Sequence, residues 1–294
     1  METKGMQGRF NRPNTRIGQN FLIDRNILGL ILGRCDIGSH DVLLEVGAGK
    51  GFLTEGLLGE NPLLVYSSEI DRRFEPYLES LRTRYPNLRI LWGDALKGGL
   101  PERLEPPPNK MVANIPYHIT TPLLWRVLEL YAPAGLNYML LMVQKEAAER
   151  ICAPARSKDR YPLGITIQAM GEPRIVRKVP PEAFSPSPRV DSALLEVSIQ
   201  KNRSLPRDRI WRTLMRAAFS QRRKTLLNNL GALLPGMRRE IADRMVQAGL
   251  SGHARGEELE LEQWHSLYEL LSPLLQAKKG PAGGPWLLPA GPDE

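Results

Sequence analysis

The sequence predicts an α/β fold in which a mostly parallel sheet, covered by helices on both faces, is followed by a smaller all-helical C-terminal domain. Over residues 42–143, apolar runs of strand length alternate with helix-like segments, as in repeated βαβ units. From residue 205 onward, the apolar residues recur with helical spacing instead. A chain of 294 residues is long enough for two domains with cores of their own.

The elements follow from these patterns in chain order. Asp24 is suited to capping a first helix, whose apolar face runs from Ile27 to Leu32. Strand candidates then occupy residues 42–46, 63–69, 88–92, 110–113 and 137–143, and the clearest helices between them cover 72–84 and 120–131. Residues 144–171 are expected to be largely helical around a basic loop at 153–160. Further strands are expected at 174–179 and 193–199.

Composition divides the chain into four predicted segments. Residues 1–16 form a flexible basic arm, 17–203 the sheet domain, 204–277 the helical domain, and 278–294 a disordered tail rich in glycine and proline. The polar stretch at 200–204 marks the boundary between the two domains.

The net charge of +8 favours a polyanionic partner without proving one. Arg222, Arg223 and Lys224 are adjacent, on a segment predicted to be helical, and no Asp or Glu occurs between residues 210 and 236. A solvated helix surface is the alternative interpretation of such a cluster. We favour phosphate contact and predict that these three side chains bind a folded RNA.

Several classes of protein are excluded by what the sequence lacks. No apolar stretch approaches membrane-spanning length, and the N-terminus has no apolar secretory core. Cys35 and Cys152 are far apart, and the histidines have no spacing suited to a metal ion. We therefore predict a cytoplasmic protein with reduced thiols, no membrane partner and no metal site.

A glycine-rich turn follows the first strand candidate. Gly47, Gly49 and Gly51 alternate with other residues at the point where open α/β sheets bind nucleotides. Glu69 ends the next strand candidate, twenty residues beyond Gly49, where an acid can accept from ribose hydroxyls. The spacing differs from that of dinucleotide enzymes, and a turn whose glycines only relieve strain is the alternative.

A second motif, Asn114-Ile115-Pro116-Tyr117, follows the fourth strand candidate. The Asn114 amide oxygen and a neighbouring carbonyl can hold both hydrogens of an exocyclic amino group, and Tyr117 can stack on the attached ring. Holding the hydrogens turns the nitrogen lone pair toward an electrophile, which favours methylation of a nucleobase amino group. The alternative is a strand-ending turn with Tyr117 in the core.

Together these motifs resemble those of the ribosomal RNA adenine dimethyltransferases, and especially the bacterial members that act on the small ribosomal subunit. The resemblance covers residues 17–270. The matching motifs lie at residues 18–22, 45–51, 69–71, 93–96, 114–117, 144–146, 184–192 and 218–226.

The resemblance implies a Rossmann-like, class I methyltransferase domain at 17–203 that uses S-adenosylmethionine, and an rRNA-binding domain at 204–277. It implies transfer of two methyl groups to N6 of each of two adjacent adenosines in the 3′-terminal hairpin loop of 16S rRNA. The expected partner is the immature small (30S) ribosomal subunit, late in its biogenesis. We expect the protein to be a monomer.

Cofactor-binding roles follow from the same resemblance. The residues expected to bind S-adenosylmethionine are Gln19, Asn20, Leu22, Gly47, Gly49, Glu69, Asp94 and Asn114. Asn20 and Leu22 are expected at the methionine end of the cofactor. Glu69 is expected at the ribose hydroxyls and Asp94 at the adenine amino group.

The resemblance also implies catalytic roles for Asn114, Tyr117 and Phe184, with the two rings stacking on the extruded adenine. The sequence departs from the usual family pattern at Ala48, Lys50 and residues 162–164. None of these departures removes a side chain with an assigned role. They leave open how the loop at 153–164 fits the RNA.

Three alternatives remain open at this point. A large-subunit, 23S rRNA adenine methyltransferase of the macrolide-resistance type shares the cofactor half. A non-catalytic ribosome assembly factor shares the basic surface. A nicotinamide oxidoreductase is disfavoured by the glycine spacing.

Overall fold

The computed structural model describes residues 19–200 and 209–277. The predicted basic arm, the predicted tail and most of the predicted domain boundary lie outside these residues. The described chain forms two compact units. The first comprises residues 19–148 and 172–200, and the second comprises residues 149–171 and 209–277.

The strands are β1 (Phe21–Leu22), β2 (Val42–Val46), β3 (Leu64–Glu69), β4 (Leu88–Trp92), β5 (Lys110–Asn114), β6 (Tyr138–Gln144), β7 (Gly171–Val179), β8 (Phe184–Ser185) and β9 (Ser192–Ile199). The helices are α1 (Arg25–Cys35), α2 (Phe52–Gly59), α3 (Glu75–Arg84), α4 (Thr120–Leu130), α5 (Lys145–Ile151), α6 (Pro162–Met170), α7 (Arg209–Ala218), α8 (Leu226–Leu233), α9 (Arg238–Gln247) and α10 (Leu261–Ala277).

A seven-stranded sheet in the order β4-β3-β2-β5-β6-β9-β7 forms the centre of the first unit. The neighbours from β4 to β6 are parallel, and β9 is antiparallel to β6. Strands β2 and β3 are buried along their whole length, including their polar residues Glu45, Ser67, Ser68 and Glu69. The predicted α/β fold is therefore confirmed. The strand order changes direction between β2 and β5, and ligands of open α/β sheets bind at such a switch point.

Helix α1 is fixed at both ends. At its start, Asp24 Oδ1 accepts bonds from the backbone N–H groups of Asn26 (2.7 Å) and Ile27 (3.2 Å), as the sequence predicted. At its end, Lys110 Nζ donates to the carbonyls of Cys35 (3.0 Å) and Asp36 (2.6 Å). A cation there satisfies terminal carbonyls and complements the helix dipole. The segment preceding α1 is thus held in a fixed position on the first unit.

A buried carboxylate links α1 to the sheet. Glu196 of β9 accepts two bonds from Arg34 of α1, at 3.0 Å each, one from the Tyr138 hydroxyl at 2.8 Å and one from Arg174. Burial by itself raises the pKa of Glu196, but the bonds from Arg34, Tyr138 and Arg174 outweigh it and lower the pKa to about 2. The cluster therefore stabilises the fold only while Glu196 is ionised.

The second unit contains a segment that the sequence prediction assigned to the sheet domain. Trp211 of α7 donates its indole N–H to Thr166 of α6 at 2.9 Å. The same ring packs edge-on against Trp264 and Tyr268 of α10, at centroid distances of 6.3 and 5.9 Å. These contacts between distant parts of the chain explain why residues 149–171 belong to the helical unit.

The basic residues Arg222, Arg223 and Lys224 lie in a turn between α7 and α8, so the helical prediction for them was wrong. The Asn229 side chain donates to the carbonyls of Ala218 (2.7 Å) and Gln221 (3.2 Å), which satisfies backbone groups at the end of α7. The side chain of Thr225 then caps the start of α8. Because Asn229 caps the end of α7 and Thr225 caps the start of α8, the chain forms a turn between two helices and not one continuous helix.

None of the helices in the described ranges is long and apolar enough to cross a membrane. Within the same ranges, no group of three or more His, Cys, Asp or Glu side chains is arranged to hold a metal ion.

We predict that Glu196→Gln lowers the stability of the protein at pH 7. Because the pKa is lowered, ionised Glu196 stabilises the fold fully at pH values above 4.5, the ordinary pKa of a glutamate. This stabilisation is lost as the pH falls through about 2. This contribution is on the order of 3 kcal/mol. Thermal unfolding should show a gap in Tm between wild type and variant that narrows from pH 7 to pH 3. The exposed Glu60→Gln is the matched control, and an equal gap at both pH values would contradict the assignment.

Candidate active site

A cavity of about 350 Å³ lies in the first unit, at the carboxyl ends of the central strands. Its volume is in the range of ligand sites, about 300–1,000 Å³. Its lining includes most of the site residues that the sequence predicted, namely Gln19, Asn20, Gly47, Gly49, Glu69, Asp94, Asn114 and Tyr117. The topological switch point therefore brings together residues nearly a hundred positions apart in the chain.

The glycine-rich turn forms one wall of this cavity, in a conformation that side chains disfavour. Gly47 has a φ of +89°, and a Cβ atom there would lie 3.3 Å from the Asn114 carbonyl oxygen. Gly49 has a φ of +55°, and a Cβ atom would lie 2.8 Å from the ring of Phe21. Both glycines are therefore required for the close approach of neighbouring segments. Phe21 is a lining residue that the sequence prediction missed, although it lies between Asn20 and Leu22.

Glu69 is buried at the end of β3 and holds the turn in place. Its Oε2 accepts from the Gly49 N–H at 2.7 Å, and its Oε1 accepts from the N–H groups of Ile70 (2.9 Å) and Asp71 (2.8 Å). Burial raises the pKa of Glu69, and these three bonds oppose the shift. A carboxylate has about four acceptor positions, so a position remains for a hydroxyl in the cavity.

Asn114 is oriented by a bond to the segment before α1. Its Nδ2 donates to the Asn20 carbonyl at 2.9 Å. No donor among the residues that the structure describes reaches its Oδ1, or the carbonyl of Ile115. Two acceptors beside the cavity are thus available to an amino group, which is the arrangement predicted for this motif.

Two further polar residues of the cavity, Asp94 and Gln19, are held by hydrogen bonds within the first unit. Asp94 Oδ1 accepts from the Leu96 N–H at 2.9 Å. Gln19 Nε2 donates to Asp71 Oδ2 at 3.1 Å, and the bonds from Arg73 lower the pKa of Asp71. Asp71 is a second residue to which the sequence prediction gave no role. Its signals in the sequence were its position two residues after Glu69 and its place in the motif at 69–71.

Comparison with known proteins identifies the family. The family model described as ribosomal RNA adenine dimethylase matches residues 10–272. The chain belongs to the ribosomal RNA adenine dimethylase family. It is 41% identical over 272 residues to ribosomal RNA small subunit methyltransferase A of Rubrobacter xylanophilus, covering 91% of this chain and 98% of the relative. It is 36% identical over 263 residues to the protein of that name from Alkaliphilus metalliredigens, covering 87% and 91%.

Solved structures agree with this assignment. A dimethyladenosine transferase from Plasmodium falciparum superimposes with a TM-score of 0.72 at 26% identity, covering 86% of this chain and 98% of that chain. The 23S rRNA methyltransferase ErmE superimposes with a TM-score of 0.63 at 26% identity, covering 86% and 100%. The chain is therefore an S-adenosylmethionine-dependent methyltransferase, and the predicted enzyme class and cofactor are confirmed.

The geometry of this adenine dimethylase fits that cofactor. Gly47 and Gly49 line the cavity with backbone and no side chain, and Glu69 presents an acceptor beside them. Ile70 and Leu96 add apolar side chains to the same cavity, which suits the adenine ring of a nucleoside. The nicotinamide alternative is excluded by the family assignment.

Two of the residues predicted to contact the cofactor or the adenine do not line the cavity. Leu22 and Phe184 face each other in the antiparallel pair β1–β8, and both belong to the hydrophobic core, with exposures of 4% and 3%. A ring so enclosed has no face available for stacking on a base. The structure therefore gives no support for a cofactor contact by Leu22 or for stacking by Phe184. Arg222, Arg223 and Lys224 are exposed residues of the second unit.

We predict that Glu69→Ala weakens S-adenosylmethionine binding by at least roughly tenfold, because it removes the acceptor and the bond that positions Gly49. Isothermal titration calorimetry measures the change directly. Glu102→Ala, at an exposed position of the same unit, should bind the cofactor as wild type does. Unchanged affinity of Glu69→Ala would remove the assignment of Glu69 to the ribose.

Proposed function

We propose that this enzyme transfers two methyl groups to N6 of each of two adjacent adenosines in the 3′-terminal hairpin loop of 16S rRNA. It acts on the immature small ribosomal subunit in the cytoplasm, late in biogenesis, as a monomer. The observation that carries the proposal is the Asn114 amide, which Asn20 orients so that its oxygen remains available at the cavity.

The chain's own residues perform positioning, and bound S-adenosylmethionine supplies the electrophilic methyl group. Asn114 Oδ1 and the Ile115 carbonyl each accept one hydrogen of the adenine amino group, so that the nitrogen lone pair is turned out of the ring. Tyr117 stacks on the purine and sets its plane. Such orientation accounts for most of the acceleration that a direct methyl transfer requires.

The Asn114 amide acts in this role by geometry. Its oxygen accepts a hydrogen bond from the amino group, and its nitrogen is held by the Asn20 carbonyl, so the position of the acceptor is fixed. One proton leaves N6 for each methyl group gained, and it passes to solvent.

The small-subunit target is supported by the relatives rather than by the cavity. Both relatives described above carry the name ribosomal RNA small subunit methyltransferase A. The likeness to ErmE, a 23S rRNA methyltransferase, makes the large subunit the second candidate target. Incubation with labelled cofactor of small and large subunits from unmethylated cells separates the two, by mass spectrometry of the rRNA nucleosides.

The basic turn of the second unit supports RNA binding. Arg222, Arg223 and Lys224 are exposed, and none of them forms an ion pair with an acidic side chain in the described part of the chain. Arg222 donates to the carbonyl of Lys158, so the turn lies beside the basic loop at 153–160. Cations that lack carboxylate partners are available to phosphates.

We predict that Asn114→Ala reduces dimethyladenosine formation on small subunits by about two orders of magnitude, because the acceptor that orients N6 is lost. Mass spectrometry of nucleosides from the treated subunits measures the loss. Asn26→Ala, exposed on α1, should retain full activity. Normal methylation by Asn114→Ala would contradict the proposed role of Asn114. Loss of methylation with full cellular function would instead favour a non-catalytic assembly factor.

We also predict that the double charge reversal Arg222→Glu and Arg223→Glu weakens binding to small subunits and flattens its dependence on salt by about one unit of log–log slope for each lost phosphate contact. Filter binding at several salt concentrations gives this slope. The pair Arg177→Glu and Lys178→Glu changes the net charge equally at an exposed site on β7 and serves as the control. An unchanged slope would place the basic turn away from the RNA.

A further inference from the structure

The Tyr117 ring is held at its far end by a residue that the sequence prediction gave no role. The Tyr117 hydroxyl lies 2.6 Å from Ser192 Oγ. Tyr117 begins the 3-10 turn Tyr117–Ile119 after β5, and Ser192 is the first residue of β9. Because the sheet order is β5-β6-β9, this bond crosses the end of β6.

The Ser192 hydroxyl has one hydrogen-bond partner in the part of the chain that the structure describes. It is fully buried, and a buried hydroxyl requires a hydrogen-bond partner. Within the described residues that partner is Tyr117. The backbone on either side is fixed as well, since Lys145 N–H donates to the Asp191 carbonyl at 3.0 Å and Gln144 pairs with Ser192. The serine is thus a rigid anchor.

The ring of Tyr117 is consequently fixed at two points. At one end, the Ile119 N–H donates to the Pro116 carbonyl at 3.1 Å and closes the turn that carries the ring. At the other end, the hydroxyl is bound to Ser192. Rotation about χ1 carries the hydroxyl away from Ser192 and breaks the second contact, so this contact fixes the direction in which the ring points. Burial raises the pKa of Tyr117, so the phenol remains protonated and neutral at physiological pH.

We propose that Ser192 is a positioning residue for methyl transfer, which holds the Tyr117 ring in the direction from which it stacks on the extruded adenine. This inference rests on the proposed function. It also gives a role to the end of the proline-rich segment at 184–192, which anchors the ring of the Asn114–Tyr117 motif.

The test is a double-mutant cycle of Ser192→Ala and Tyr117→Phe, with single-turnover methylation of unmethylated small subunits as the main measurement. Each single variant should lower the rate roughly tenfold, because each removes the bond while leaving an aromatic ring in place. The double variant should be no slower than the singles, since one bond is being removed in all three. Calorimetry should show unchanged cofactor affinity.

Two further variants separate positioning from general stability. Ser192→Thr keeps the hydroxyl and should recover most of the rate, whereas Ser198→Ala, exposed on the same strand, should match wild type. A wild-type rate for Ser192→Ala, or losses that multiply in the double variant, would overturn the inference. Should Ser192→Ala fail to fold, Tyr117→Phe decides alone, and a wild-type rate overturns the inference. A wild-type enzyme that methylates neither subunit would instead overturn the proposed function.

Discussion

The convergence of three backbone N–H groups on the buried Glu69 carboxylate is the interaction on which the cavity depends. One donor comes from the glycine turn after β2, and the other two come from the segment after β3. A buried carboxylate is tolerated only when such bonds replace its hydration. The bond from Gly49 N–H therefore ties a turn of positive-φ glycines to the neighbouring strand. The protein thus uses one charge both to shape the turn and to present an acceptor.

The features that the sequence could predict depend on residues close together in the chain or on the shared edge at which parallel strands end. Strands β2 and β3 are buried on both faces and each begins with three apolar residues, and their positions were predicted to within a residue. The polar residues that follow β2, β3, β4 and β5 were predicted to meet because parallel strands end at one edge of the sheet. Glu69 and Asn114 end β3 and β5, so their positions at the cavity could be predicted from the strand pattern alone.

What the sequence could not predict depends on contacts between distant residues. Phe184 was expected at the target base, but a two-residue pairing with β1, some 160 positions away, encloses its ring. The Arg222 turn was expected to be helical, but Asn229 and Thr225 satisfy the backbone groups that a helix would have used. Residues 149–171 join the helical unit through Trp211 and Thr166. The periodicity of a local stretch of sequence does not indicate contacts between residues so far apart in the chain.

The two side chains that we propose to contact the adenine are each held by a residue distant in the sequence. Asn114 is oriented by Asn20, which precedes a helix fixed by Lys110 and Glu196. Tyr117 is oriented by Ser192, at the start of the strand that carries Glu196. The bond between Tyr117 and Ser192 requires β9 to be paired with the sheet, because Ser192 is the first residue of that strand. A reaction that requires positioning rather than acid–base chemistry is well served by such an arrangement, because its geometry exists only in the fully folded enzyme.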